Sequence, residues 1–195
     1  MEWLKDAGLG DDRDVMLRQY AEQYDLLKKQ RKELETEIAK RGWEMPEVKD
    51  LVTIRGIGPY SALALVLEIG PVERFDNLGK FRGYVGAAPR VRQSGETEHV
   101  DGERTSCNPR VKSILSRATQ QLVKSSSPHN PIKSYYHKQL DRGCSKQQAK
   151  GRVRGKLSNS VYAMLRNGEP CEWSEPAFAD RKRTELERAA TVATA

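Results

Sequence analysis

The chain has little of what builds covalent or metal scaffolds. Its 195 residues include three cysteines and three histidines. Cys107, Cys144 and Cys171 are odd in number and form no Cys-x-x-Cys pair, which argues against both a disulfide framework and a zinc knuckle and leaves plain reduced thiols. His99, His129 and His137 stand in polar surroundings without ligand spacing, so no metal site is expected in this chain. Long apolar runs are missing too. None approaches the ~18 residues of a spanning helix, and no signal peptide opens the chain, so the sequence predicts a soluble, cytoplasmic protein with no membrane partner. Hydrophobic residues make up 37% and mean hydropathy is −0.75. That suits one modest core plus a solvated extension rather than a single large globule.

Charge, by contrast, is plentiful and uneven. The net charge is +7 and the isoelectric point near 9.3. From Ala88 to Lys156 there are fifteen Lys/Arg against five Asp/Glu, a local +10 that leaves −3 for the rest. The basic charge is gathered where a polyanion would sit.

Three segments follow along the chain. Residues 1–45 read as a charged helical arm: Leu17, Tyr20, Tyr24, Leu27, Leu34 and Ile38 recur in steps of three and four, with Arg31 in the one polar seam position. This is heptad spacing, so residues 11–41 are expected to form a coiled coil that pairs two copies of the chain, in preference to a helix packed on its own domain. Residues 46–173 read as a compact helical domain. Asn108-Pro109 and Asn130-Pro131 each combine an N-cap residue with proline at the first helical position, and Ser145 with Gln148 makes a capping-box pattern. Between Arg90 and Ser106 the chain is polar and alternates weakly, as a loop or irregular hairpin does. Residues 174–195 are charged and then end Ala-Ala-Thr-Val-Ala-Thr-Ala, a composition that predicts a disordered tail. The expected fold class is all-α.

The most informative stretch is Leu51-Val-Thr-Ile-Arg-Gly-Ile-Gly-Pro-Tyr60 and the apolar run after it. An apolar helix end, a Gly-x-Gly-Pro turn and a second apolar helix opened by Pro59 resemble a helix–hairpin–helix DNA-binding module. In such a turn Gly56 and Gly58 are expected at φ > 0, and the amides of Gly56, Ile57 and Gly58 are expected to face a phosphate at the positive end of the following helix.

The order of the pieces carries a wider resemblance. Gly-Ile-Gly-Pro59, then Phe75…Leu78…Phe81-Arg-Gly-Tyr-Val-Gly-Ala-Ala-Pro89, then Arg90-Val-Arg-Gln-Ser-Gly95, then Gly102…Asn108…Arg110, then Asn130-Pro131, then Ala163-Met-Leu-Arg-Asn-Gly-Glu-Pro170 resembles the C-terminal domain of the insertion-sequence 110 family of transposases, with Piv-type invertases and bridge-RNA-guided recombinases among the relatives. The resemblance runs collinearly from about Pro46 to Trp173. It implies a prokaryotic recombinase, nucleoid-associated when bound to DNA, whose N-terminal RuvC-like domain holds Mg2+ through acidic residues while the C-terminal domain supplies a serine that attacks the phosphodiester. That serine maps onto Ser94. Gly95 would allow close approach of the phosphate, and Arg90, Arg92, Arg104, Asn108 and Arg110 surround it in sequence as candidate phosphate contacts. Lys146, Lys150 and Arg154 form a basic side on the last helix of the domain, with Arg152 and Lys156 beside it. Tyr84, Tyr135 and Tyr136 fall at core-like positions and are read as packing rather than as nucleophiles.

Two departures qualify the expectation. Upstream of Pro46 there is no βαβ pattern to carry a carboxylate cluster, so no cofactor is expected to bind this chain, and Mg2+ would enter through a RuvC-like domain in cis or trans. Where family members often carry Thr-Lys-x-Gly-Asn, this chain has Thr105-Ser-Cys-Asn108. The expected partners are DNA, a guide (bridge) RNA and a second copy of the chain, and the chain alone is expected to be inactive. A nonenzymatic helix–hairpin–helix module that regulates a full-length transposase is the alternative.

If the local +10 neutralises a handful of phosphates, affinity for DNA should fall roughly tenfold to a thousandfold between 50 and 200 mM salt, with little sequence preference. Fluorescence anisotropy across a salt series measures this, and salt-independent binding would exclude a backbone-gripping mode.

Overall fold

Burial of a largely polar helix organises the fold. The computed structural model describes residues 12–191 apart from 95–96, 104–105, 169 and 172, and only the backbone of 12–13 and 89–103. Among the described residues there are eight α-helices: α1 (Asp12–Trp43), α2 (Pro46–Leu51), α3 (Pro59–Ile69), α4 (Leu78–Tyr84), α5 (Pro109–Val123), α6 (Pro131–Asp141), α7 (Lys146–Asn167) and α8 (Pro176–Thr191). A 3-10 turn (Val72–Arg74) precedes α4, and an antiparallel ribbon of β1 (Pro89–Ser94) and β2 (Thr97–Glu103) separates α4 from α5. The all-α class holds, and the polar stretch after Pro89 takes the hairpin form of its two expected forms.

Local chemistry sets the boundaries. Proline stands in the first turn of α2, α3, α5 and α6, where its missing N–H has no partner to lose. Asn77, Asn108 and Asn130 cap α4, α5 and α6 through their side-chain oxygens. Ser145 and Gln148 close the capping box of α7, and Gly168 ends that helix in the left-handed conformation.

Helix α7 packs against α2, α4, α5, α6 and the 3-10 turn. Ala149, Val153, Leu157, Val161 and Met164 meet Phe81, Leu51, Leu65, Leu115, Leu122 and Ile132 in one contiguous core. Its buried arc also takes in Arg154, Gly155 and Ser158. Phe81 is fully buried, edge-on to Phe75 with ring centroids 5.3 Å apart. Burying a side chain of that size contributes ~1.5–3 kcal/mol.

Two expectations about the ends are corrected. The tail predicted as disordered over 174–195 contains α8, which lies along α1. Leu186 is 1% exposed, and Arg183 Nη2 donates to Asp50 Oδ1 at 2.8 Å, tying α8 to α2. Residues 192–195 lie outside the described residues. The arm, in turn, is less separate than a boundary at 45 suggests: Ala39 is buried in the common core, Ile38 packs against it, and α1 touches α2 and α3 as well as α8. What remains of the heptad seam is outward-facing. Tyr20, Tyr24, Leu27 and Leu34 are all 50% or more exposed.

The turn between α2 and α3 also differs in one residue. Gly56 has φ 92, as expected, but Gly58 has φ −95 and ψ 177, the extended geometry usual for an N-cap residue. Only Gly56 requires glycine. A Cβ there would stand 3.0 Å from the Ala118 Cα and from the Gln121 Cβ on α5, whereas one on Gly58 meets nothing within 4 Å. The side chain of Ile57 is buried and its N–H donates to the Ile54 carbonyl at 3.0 Å, so this residue serves the core rather than a ligand.

Gly56→Ala should therefore destabilise the protein by about 2–4 kcal/mol, from combined backbone strain and overpacking. Gly58→Ser, which places a hydroxyl oxygen to accept from an N–H of the first turn of α3 at an open extended position, should change stability by less than about 1 kcal/mol. Urea denaturation of both variants checks the contrast; equal losses would show that the two glycines are not distinguished in this way.

Candidate nucleic-acid interface

The β-ribbon leaves the helical core through two adjoining roots, Gly86–Ala88 and Ser106–Asn108. Its register pairs Val91 with Val100, Arg92 with His99 and Ser94 with Thr97, and shifts between Pro89 and Val91, at Arg90. The roots are stitched to each other. Asn108 N–H donates to the Tyr84 carbonyl at 2.8 Å, and Gly86, at φ 72, lies so close to Cys107 that a Cβ would stand 2.8 Å from its Sγ. A shallow groove of about 520 Å³, lined by Gly79, Lys80, Gly83, Tyr84, Ser106, Cys107 and Asn108, runs beside the second root.

A four-residue polar network builds this corner. Helix α3 is apolar but for one charged residue, Glu68, near its C-terminal end. Asn108 Nδ2 donates to Glu68 Oε2 at 2.8 Å and to the Tyr84 hydroxyl at 3.0 Å, while Tyr84 donates its proton to the Glu68 carbonyl oxygen at 2.6 Å. Arg110 Nη1 donates to Glu68 Oε1 at 2.9 Å. The hydrogen bond from Asn108, then that from Arg110, hold the Glu68 carboxyl below its ordinary range by stabilising the charged form. Asn108 also accepts from the N–H groups of Arg110 and Val111 through Oδ1 as the cap of α5. Its amide is thus engaged on both sides, in capping and in tying α3 to α4 and α5.

The predicted site residues fall into distinct places. Ser94 ends β1 and pairs with Thr97; its side chain, like those of Arg90 and Arg92, lies outside the described residues, as do Gly95 and Arg104 entirely. Arg110 is at the surface, with its side chain 80% exposed despite the bond to Glu68. Lys146 and Lys150 are exposed on the first turns of α7, with Arg152 and Lys156 further along. Arg154 is a correction. It is 8% exposed and turned inward, donating to Ser116 Oγ at 3.0 Å and to the Gly86 carbonyl at 3.3 Å, so it braces the ribbon root instead of extending the basic face. Glu68 was not picked out from sequence at all, although a lone carboxylate in an apolar helix was a signal available there. Tyr84 was read only as packing; its ring is against Phe75, and its hydroxyl is a member of the network. Among the described residues no group of His, Cys, Asp or Glu is placed to hold a metal ion, and no helix is long and apolar enough to cross a membrane.

Similarity to known proteins falls on this helical domain and its β-ribbon. Residues 48–137, from within α2 to within α6 and including the whole ribbon, match the family model described as Transposase IS116/IS110/IS902 family. Curated relatives agree. The chain is 34% identical over 93 residues, 48% of its length, to the Sinorhizobium fredii protein named "Putative transposase y4rJ", and 25% identical over 164 residues, 84% of its length, to the Streptomyces coelicolor protein named "Insertion element IS110 uncharacterized 43.6 kDa protein". These alignments span 23% and 40% of the two relatives' own lengths, so the chain covers less than half of either.

The Glu68 network predicts a pH signature. With the folded carboxyl titrating below its unfolded value of about 4.3, Glu68 adds stability above that pH and loses it as the pH falls through the lowered folded value. Glu68→Gln should therefore be less stable than the parent at neutral pH, with the gap closing on acidification below about pH 4. Denaturation curves of both proteins from pH 7 to pH 3 measure it, and a gap that stays constant with pH would remove the carboxylate from the network's energetics.

Proposed function

We propose that this chain is the DNA-binding, serine-nucleophile part of a transposase that moves an insertion sequence by strand cleavage and rejoining. The observation that supports this reading best is the placement of Ser94 at the end of β1, on a ribbon rooted beside the Glu68–Asn108–Arg110 corner and inside the segment that matches the transposase family. In the proposed step Ser94 Oγ bonds to phosphorus as the bond from phosphorus to the leaving deoxyribose oxygen breaks. The serine proton passes to that oxygen through a base or solvent, and the covalent phosphoserine keeps the phosphoester energy for rejoining. Lys80, which lines the groove, and the exposed Arg110, two residues past its lining residue Asn108, are suited to neutralising the strand, and the amides opening α3 after Pro59 to gripping its backbone without reading sequence. The exposed bases Lys146, Lys150, Arg152 and Lys156 would extend that contact.

The described residues do not fit a magnesium ion: Glu68 is the carboxylate at this corner, and Asn108 and Arg110 already occupy both its oxygens. Magnesium therefore has no place in the steps assigned to this chain, and a RuvC-like domain, in cis or trans, is the proposed source of the acidic residues. Pairing through the exposed stripe Tyr20, Tyr24, Leu27 and Leu34 would bring two serines to opposite strands. A guide RNA is proposed as the source of target choice, because phosphate contacts of this kind carry no sequence information.

Supplied with a RuvC-like domain of a relative, magnesium, a guide RNA and branched DNA, the chain should form a phosphoserine adduct that Ser94→Ala abolishes while the dissociation constant for DNA changes less than about threefold. Denaturing gels and mass spectrometry of the adduct read the result. An adduct that survives the substitution would assign the chemistry to another residue, and reversible binding without any adduct would make the chain a DNA-binding regulator.

A further inference from the structure

Two arginines converge on consecutive carbonyls where β1 leaves the core. Arg154, buried on α7, donates through Nη2 to the Gly86 carbonyl at 3.3 Å and through Nη1 to Ser116 Oγ on α5 at 3.0 Å. Arg82, on α4, donates through Nη2 to the Ala87 carbonyl at 3.2 Å. Helix α7 leaves room for the second guanidinium: a Cβ on Gly155 would stand 3.0 Å from Arg82 Nη2. Glycine weakens a helix interior and burying a guanidinium carries a large desolvation penalty, so neither feature is what stability alone would favour at the centre of the fold. What the arrangement does provide is direction. The planar, rigid guanidinium holds two acceptors in fixed geometry, and here Arg154 fixes Gly86 relative to α5, which begins at the other root of the ribbon.

We propose that Arg154 and Arg82 are positioning residues that set the direction in which the ribbon, and with it Ser94, is presented. The proposal rests on the reading of Ser94 as the nucleophile. Neither arginine is assigned a contact with DNA; each acts through a root carbonyl. The lever arm makes this matter. From Pro89 to Ser94 a strand extends about 17 Å, so a rotation of about ten degrees at the root moves Ser94 by about 3 Å. Displacement of a reacting group by about 1 Å already lowers a rate on the order of a hundredfold.

The test uses four variants of the full chain, Arg154→Gln, Arg154→Lys, Ser116→Ala and Gly155→Ala, with hydrogen exchange followed separately over the ribbon and the core helices, and with DNA affinity and adduct rate measured in the complemented reaction. Gly155→Ala is the discriminating one, since alanine is the better helix former while its methyl group crowds Arg82 away from Ala87. Ribbon exchange should accelerate by about tenfold or more while the core helices keep their protection. The adduct rate should fall at least tenfold with affinity for DNA within about twofold, and Arg154→Lys should retain more of the rate than Arg154→Gln. Should Arg154→Gln fail to fold, Ser116→Ala and Gly155→Ala carry the measurement. Unchanged ribbon exchange in the folded variants overturns the proposal, and so does a loosened ribbon with an unchanged adduct rate. A loosened ribbon in a system where the parent chain itself forms no Ser94-dependent adduct upholds the anchoring and overturns the assignment of the nucleophile instead.

Discussion

Much of this fold depends on enclosing α7, a helix whose sequence is rich in lysine, arginine and serine. Enclosure succeeds because the polar groups that turn inward find partners. Arg154 reaches Ser116 and the Gly86 carbonyl, and Ser158 Oγ donates to the Gly155 carbonyl. Leu157, Val161 and Met164 then supply the apolar contact on the rest of the arc. Because α7 touches four other helices and Arg154 bonds the Gly86 carbonyl, its seating bears on α4, on α5 and on the first ribbon root. A buried arginine makes that seating specific. An apolar residue of similar volume could fill the space, but it would not select one orientation of a neighbouring carbonyl.

Sequence reasoning read the local devices well because their chemistry is local. Asn108, Asn130 and Ser145 are followed at once by the residues they cap, and Pro59, Pro109 and Pro131 restrict the chain within one residue of themselves. Arg154 was not readable in this way, since Lys150 and Arg154 are four residues apart and look like one basic stripe. Periodicity gives the centre of a buried face but not its width, and α7 is surrounded widely enough to draw Arg154 in while Lys150 stays out. Gly58 was misread because Gly-x-Gly-Pro does not say which glycine carries the reversed φ; the close approach of α5 to Gly56 decides that, and α5 is sixty residues away in sequence. Of the candidate site, Asn108 and Arg110 were found in the right corner, but Glu68, the acceptor that gathers them, is forty residues distant and became visible only through the fold.

The arm and the last helix show a related limit. Each has a narrow apolar stripe, too thin to announce a core, yet α8 lies along α1, and Leu186 and Ala179 on it are buried. Two weakly amphipathic helices satisfy one another, and neither sequence alone identifies its partner. The same pairing leaves Tyr20, Tyr24, Leu27 and Leu34 outside, so α1 presents two different faces, one spent within the chain and one still open.

Helix α5 joins the two ends of the candidate interface. Its first turn, at Asn108, stands at the ribbon root, and ten residues later Ala118 abuts Gly56 in the turn that opens α3. An α-helix is stiff over that length and rises about 15 Å in ten residues. The helix is in effect a ruler. The Gly56 turn and the ribbon root are thereby held apart by a distance equal to about four base-pair steps of duplex, at about 3.4 Å each. The spacing between the turn and the root from which the ribbon springs is then written into the length of one helix, and the ribbon's own reach is added to it.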